Sequence, residues 1–165
     1  MSDKLVLEAC CFTGHRPEKL GMGQEKIKKL LREEIKNAID FGYCVFVSGM
    51  SRGVDMWAAE LVLEEKKENP YIRLVCAVPF EGFGKGWEAA EREVYQRIIK
   101  EADYVRIVSK RYFGGVFQAR NKWMVDYSSR VIAAYNGEPG GTKNTIDYAL
   151  KNGIEVINIL KKVSW

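Results

Sequence analysis

The chain has one histidine, His15, and four cysteines, none of them in a CxxC pair. Cys10, Cys11, Cys44 and Cys76 all fall in apolar, strand-like runs, where a free cysteine behaves as a small buried hydrophobe. So small a stock of nitrogen and sulfur ligands argues against a zinc site of the usual kind, and no metal is expected. Unpaired cysteines fit a reducing compartment. No stretch approaches the ~20 apolar residues needed to cross a bilayer. The first residues carry neither an apolar signal core nor a cleavage-site pattern. The expectation is a cytoplasmic protein without membrane insertion. Dense basic patches are missing too. The net charge is +4, and the longest basic runs, Lys26-Ile27-Lys28-Lys29 and Lys161-Lys162, read as solvated surface. This counts against nucleic acid as the main partner while permitting an anionic ligand.

What is present suits one globular domain over residues 1–165, with 47% apolar and 29% charged residues. Strand-like and helix-like segments alternate. Strands are predicted at 5–12, 43–47, 72–78, 104–108, 131–135 and 155–160. Helices are predicted at 23–41, 54–68, 87–101, 117–127 and 142–152. In the first helix Ile27, Leu30, Leu31, Ile35, Ala38 and Ile39 recur at helical spacing, and Gly42 ends it. In the third, Trp87, Ala90, Val94 and Ile98 are expected to face inward. The alternation predicts an α/β Rossmann-like three-layer sandwich: a mostly parallel sheet of about six strands with helices on both faces. The strands read as continuous apolar runs, as doubly buried strands do. Ligands in such folds bind beyond the carboxyl ends of the strands, where the strand order reverses.

Three glycine-containing loops lie at those ends. The second strand runs into Ser48-Gly49-Met50-Ser51-Arg52-Gly53-Val54-Asp55. Here Gly49 and Gly53 allow positive φ and close backbone approach, and the free N–H groups of the next helix favour an anion. Ser48 and Ser51 add hydroxyls, and Arg52 can add a charge-assisted fork to a phosphate. The alternative is an ordinary turn with Arg52 in solvent. The loop is neither a Walker A loop nor a GxGxxG fingerprint.

After the first strand come Thr13-Gly14-His15-Arg16-Pro17, where His15 is either structural or a ligand contact able to act as acid or base near pH 7. After the fifth strand, Asn136-Gly137-Glu138-Pro139-Gly140-Gly141-Thr142 reads either as a second phosphate cradle or as a turn with Thr142 as helix cap. Arg120 could clamp a phosphate and Asn121 could read a polar edge. Trp57, Trp87 and Trp123 fall in predicted helices and read mainly as packing residues.

The stretch Val47-Ser48-Gly49-Met50-Ser51-Arg52-Gly53-Val54-Asp55 resembles the phosphate-loop motif of the DNA-processing protein A family. With Arg120 and Pro139-Gly140-Gly141-Thr142 it also resembles the LOG family of nucleoside-monophosphate phosphoribohydrolases. Both belong to the SLOG superfamily. Within it the chain is most similar to the YpsA-like family, through Thr13-Gly14-His15-Arg16-Pro17, Trp57-Ala58-Ala59-Glu60, Pro79-Phe80, Ala102-Asp103-Tyr104 and Gly140-Gly141-Thr142.

The resemblance implies a bacterial protein with a pocket for a nucleoside monophosphate, ADP-ribose or an NAD fragment. It also implies a regulatory role in cell division or stress, acting on a protein partner, and a homodimer by analogy. Three readings follow: a regulatory ligand-binding protein with no obligatory cofactor, a LOG-like N-glycosidase, and a single-stranded DNA-binding protein. For the glycosidase, the LOG motif needs a catalytic glutamate. A direct count from Pro139 puts Asp147 there, and an alignment on Gly141-Thr142 puts Thr145 there. His15, Asp55, Asp126 and Asp147 are the candidate catalytic side chains.

Overall fold

The computed structural model describes residues 8–160. It contains six strands, β1 Ala9–Gly14, β2 Val45–Ser48, β3 Arg73–Phe80, β4 Tyr104–Ser109, β5 Arg130–Ala134 and β6 Glu155–Asn158. Five α-helices connect them: α1 Gln24–Phe41, α2 Val54–Glu68, α3 Ala89–Glu101, α4 Val116–Tyr127 and α5 Gly141–Lys151. One sheet carries all six strands in the order β4-β3-β2-β1-β5-β6, and every neighbouring pair is parallel. The α/β Rossmann-like sandwich expected from the alternation is therefore the observed fold.

Strand pleating splits the core in two. Cys10, Phe12, Phe46 and Leu74 face α1, α2 and α3, with Ile27, Leu31, Ile35, Val62 and Ile98 packed among them. Ala9, Cys11, Val47, Val75 and Val131 face α4 and α5, with Met124, Val125, Ile146 and Ala149. α1 forms where its apolar residues recur every three or four positions, which gives a buried stripe of Ile27, Leu31, Ile35 and Ala38. It stops at Gly42, whose φ of 116° only glycine adopts cheaply. The Lys26–Lys29 run lies on this helix beside buried Ile27, with Lys26 and Lys29 exposed.

Several expectations change. β1 begins at Ala9 and runs on through Thr13 and Gly14, because it pairs with β5 as far as Gly14↔Ala134. Residues 5–7, Lys161 and Lys162 lie outside the described residues. β4 is an edge strand with Tyr104, Arg106 and Ile107 exposed, so an apolar run here does not mean burial on both faces. Ala90 is exposed, and Trp87 precedes α3. A short 3-10 helix at Pro17–Lys19 follows β1, started by the fixed φ of Pro17.

Candidate functional site

The strand order reverses between β1 and β5, since the chain steps outward from β1 to β4 and then crosses back. A cavity of about 430 Å³ opens over this point. It is lined by residues from the β1 loop, the β2–α2 loop, the first turns of α4 and the β5–α5 loop. The topological rule thus locates the cleft. Its volume lies within the ~300–1,000 Å³ usual for small-molecule sites.

The β2–α2 loop reaches the cleft only in part. Ser51, Arg52 and Asp55 line it, whereas Ser48, Gly49, Met50 and Gly53 do not. Those four build the turn. The Ser48 hydroxyl donates to the Asp55 carbonyl at 2.8 Å and accepts the Met50 N–H at 3.2 Å. Positive φ falls on Met50 (63°) and Gly53 (88°), and Gly49 has none. Gly49 is required for a different reason: a Cβ there would sit 2.9 Å from both the Arg120 guanidinium and Asp55 Oδ2. At Gly53 a Cβ would meet the Pro17 ring at 2.8 Å.

The charge inside this loop is the chain's own. Asp55, 8% exposed, stands in the first turn of α2 and accepts the Ser51 N–H at 3.2 Å through Oδ2. Arg120, 5% exposed, donates from Nη1 to the Gly49 carbonyl, from Nε to Asn121 Oδ1 at 2.8 Å and from Nη2 to Ser51 Oγ at 3.5 Å. Burial raises the Asp55 carboxyl above its ordinary value, and the Arg120 charge and the Ser51 N–H oppose that rise. Burial lowers the Arg120 guanidinium, and Asp55 opposes that. Arg120 is therefore a strut across the β2–α2 loop, and its reach toward a ligand is limited by these bonds. Arg52 is half exposed and faces Glu91 at 3.7 Å.

The β5–α5 loop is arranged differently. Its helix cap is Gly140 (φ 142°), with no side-chain capping bond, so Thr142 is not the cap the sequence suggested. Gly140, Gly141 and Thr142 all line the cleft, leaving the first-turn N–H groups of α5 without a side-chain acceptor. From the β1 loop come Thr13, Gly14, His15, Arg16 and Lys19. A Cβ on Gly14 would lie 2.7–2.9 Å from the Val54 side chain, so this glycine seats β1 against α2. His15 is 6% exposed and stacks on Tyr135 with ring centres 5.4 Å apart. Its Nε2 is buried with no hydrogen-bond partner among the described residues. Burial pushes the imidazole pKa below its ordinary value, so the ring is neutral near pH 7.

Two predicted carboxylates lie elsewhere. Asp126 is exposed on α4 and accepts the Tyr148 hydroxyl at 2.7 Å. Asp147 is exposed on α5 and pairs with Lys143 at 2.6 Å. Neither lines the cleft. Thr145, the other position suggested by alignment, is buried and donates to the Gly141 carbonyl at 2.9 Å. Four lining residues lie outside the candidate set: Phe12 and Pro139, which adjoin the candidate loop residues, Lys19, beyond the motif, and Phe117, whose helical spacing to Arg120 and Asn121 could have identified it. No group of three His, Cys, Asp or Glu side chains among the described residues could hold a metal. No described helix is long and apolar enough to cross a membrane.

A parallel sheet with glycine-bearing loops around a cleft at its switch point defines a Rossmann-like α/β domain. The model of the YspA SLOG family matches residues 10–158, and the chain belongs to that family. A UPF0398 protein of Bacillus thuringiensis strain Al Hakam is 33% identical over 157 residues, covering 89% of this chain and 85% of its relative. A UPF0398 protein of Bacillus cereus strain AH187 matches to the same extent. Among solved structures, DNA processing protein A of Streptococcus pneumoniae aligns with a TM-score of 0.63 at 16% identity, over 91% of this chain and 49% of that one. The Helicobacter pylori protein, described in a single-stranded DNA binding mode, aligns with a TM-score of 0.58 at 24% identity, over 92% and 64%. The chain thus spans about half of one neighbour and somewhat under two thirds of the other, and the likeness is one of fold.

Proposed function

We propose that the protein binds a nucleotide-derived ligand, a nucleoside monophosphate or an ADP-ribose-like molecule, in the switch-point cleft, and that binding serves regulation. One observation carries this reading: the uncapped first turn of α5, at Gly140, Gly141 and Thr142, opens into a cleft where Arg16, Lys19, Arg52 and Arg120 face a single acid, Asp55. Free N–H groups at a helix start and surplus positive charge favour a phosphate. The orphaned His15 Nε2 offers one further polar contact in the same wall.

Binding without turnover is favoured over an N-glycosidase by the placement of the acids. An oxocarbenium-like transition state needs a carboxylate beside the ribose. Asp126 and Asp147 lie outside the cleft, and Asp55 is committed to Ser51 and Arg120. The test is a thermal-unfolding series with AMP, ADP-ribose, phosphate and single-stranded DNA, run on the full chain and on Arg52→Ala. AMP or ADP-ribose at about 100 times its dissociation constant should add roughly 2.7 kcal/mol, and Arg52→Ala should reduce the shift. Stabilisation by single-stranded DNA alone, collapsing steeply with salt, would replace this reading with the DNA-binding one.

A further inference from the structure

The cleft has a second chemical character at its other end. α4 turns Phe117, Arg120 and Asn121 toward it, the i, i+3 and i+4 positions of one helical face. Phe117 is 40% exposed. Its ring neighbours meet it steeply: Phe80 at 77°, Phe83 at 66° and Tyr112 at 65°. These contacts fix the ring's orientation, and among the described residues no aromatic ring lies parallel on it. The Arg120 guanidinium stands over the ring 5.8 Å from its centre, so a base would share the shelf with that cation or take the other face. One turn further on, Arg120 Nε can only donate, so the Asn121 atom it meets at 2.8 Å is Oδ1. The Asn121 amide nitrogen makes no hydrogen bond among the described residues and is left to donate.

Sheet order separates this end from the anion end. Phe117 packs against Phe80 at the end of β3, and Gly140–Thr142 follow β5, with β2 and β1 between those strands. We propose that Phe117 is a stacking shelf for the base of the ligand, that the Asn121 amide N–H reads a ring or carbonyl acceptor on the base edge, and that the ligand runs from this shelf to the first turn of α5 with its phosphate. A flat ring on a held aromatic face is favoured for any base, and the single donor adds a preference for an acceptor at the base edge.

This inference rests on the nucleotide reading, and the experiment separates the two. Affinities for AMP and for ribose 5-phosphate are measured by calorimetry on the full chain, on Phe117→Leu, which keeps an apolar side chain against Phe80 and Phe83, and on Phe117→Trp. The expected result is about tenfold weaker AMP binding in Phe117→Leu, unchanged ribose 5-phosphate binding, and AMP affinity kept in Phe117→Trp. Asn121→Ala should weaken AMP by a smaller factor and again spare ribose 5-phosphate. Equal loss for both ligands, or no loss for AMP, overturns the shelf while the nucleotide reading stands. If neither ligand binds the unmodified protein, the nucleotide reading falls and the shelf with it.

Discussion

The β2–α2 and β5–α5 loops are the same device on paper: a strand, a glycine-bearing turn and a helix N-terminus aimed at the cleft. The molecule uses them in opposite ways. In the first, a carboxylate of the chain's own, Asp55, sits in the first turn of the helix and takes the Ser51 N–H, while Arg120 closes the loop from the far side. In the second, a glycine again caps the helix, as Gly53 caps α2, but the first turn carries no acidic residue. A helix dipole satisfied internally contributes to the fold, and one left open is available to a ligand. Substitutions in the closed loop should therefore register mainly as stability, and those in the open loop as affinity.

The largest effect is expected at Arg120. Arg120→Ala leaves Asp55 buried without its opposing charge and the Gly49 carbonyl without its donor. Loss of one partner of a buried charged pair costs about 3–5 kcal/mol, read as a lowered denaturant midpoint. Arg52→Ala, half exposed, should stay within about 0.5 kcal/mol. The pH dependence adds a second readout. The folded protein already holds Asp55 above its unfolded pKa, so protonated Asp55 is the better-tolerated form, and stability falls as pH rises from the ordinary carboxylate value to the folded one. Removing Arg120 raises the folded pKa further, so that decline should extend to higher pH and grow in size. A pH-independent loss would mean that Arg120 acts through its hydrogen bonds alone.

This difference between the loops also marks how far sequence reasoning reaches. The fold was legible because periodicity is a local signal: α2 at Val54–Glu68 coincides with its expected span, and α1 differs by one residue at its start. The cleft was legible because the topology of alternating strands dictates where the strand order reverses. What each loop residue does was not, since it depends on contacts between positions far apart in sequence. Gly49 reads as a site of positive φ or close approach; it has no positive φ, and what approaches it is Arg120, 71 positions away. Thr142 reads as a cap because threonine often is one, but the helix starts one residue before it, at Gly141. Asp147 follows from motif counting and Asp126 from its place in the segment before β5, and neither argument specifies the helix face on which a side chain emerges.

A matched glycine pair tests the same contrast at smaller amplitude. Gly53 and Gly140 both have backbone conformations that a side chain adopts only under strain. At Gly53 the new Cβ would also run into the Pro17 ring, whereas at Gly140 nothing lies within 4 Å. Strain alone costs of order 1–3 kcal/mol, and forced overlap adds about 1–3 kcal/mol. Gly53→Ala should therefore lower unfolding free energy by roughly 2 kcal/mol more than Gly140→Ala does. Equal costs would show that Pro17 yields freely and that the first loop is not the tightly packed one.

The smallest effect on stability should be the most informative about the open loop. Gly141 begins α5, lines the cleft, has no positive φ and has nothing within 4 Å of the position a Cβ would take. Gly141→Asp places a carboxylate where the helix dipole favours one, as Asp55 already does on α2, while Gly141→Asn adds nearly the same shape without the charge. The aspartate should be more stable than the asparagine by about 0.5 kcal/mol, less so in high salt. It should also abolish AMP binding, because the carboxylate takes the phosphate's place and repels it, while the asparagine variant still binds. A stabilised aspartate variant that keeps its AMP affinity would move the phosphate away from α5, leaving Arg16 and Arg52 as its anchors. A variant that loses both stability and binding would mean that the first turn of α5 is already engaged within the protein, and that the two loops are alike after all.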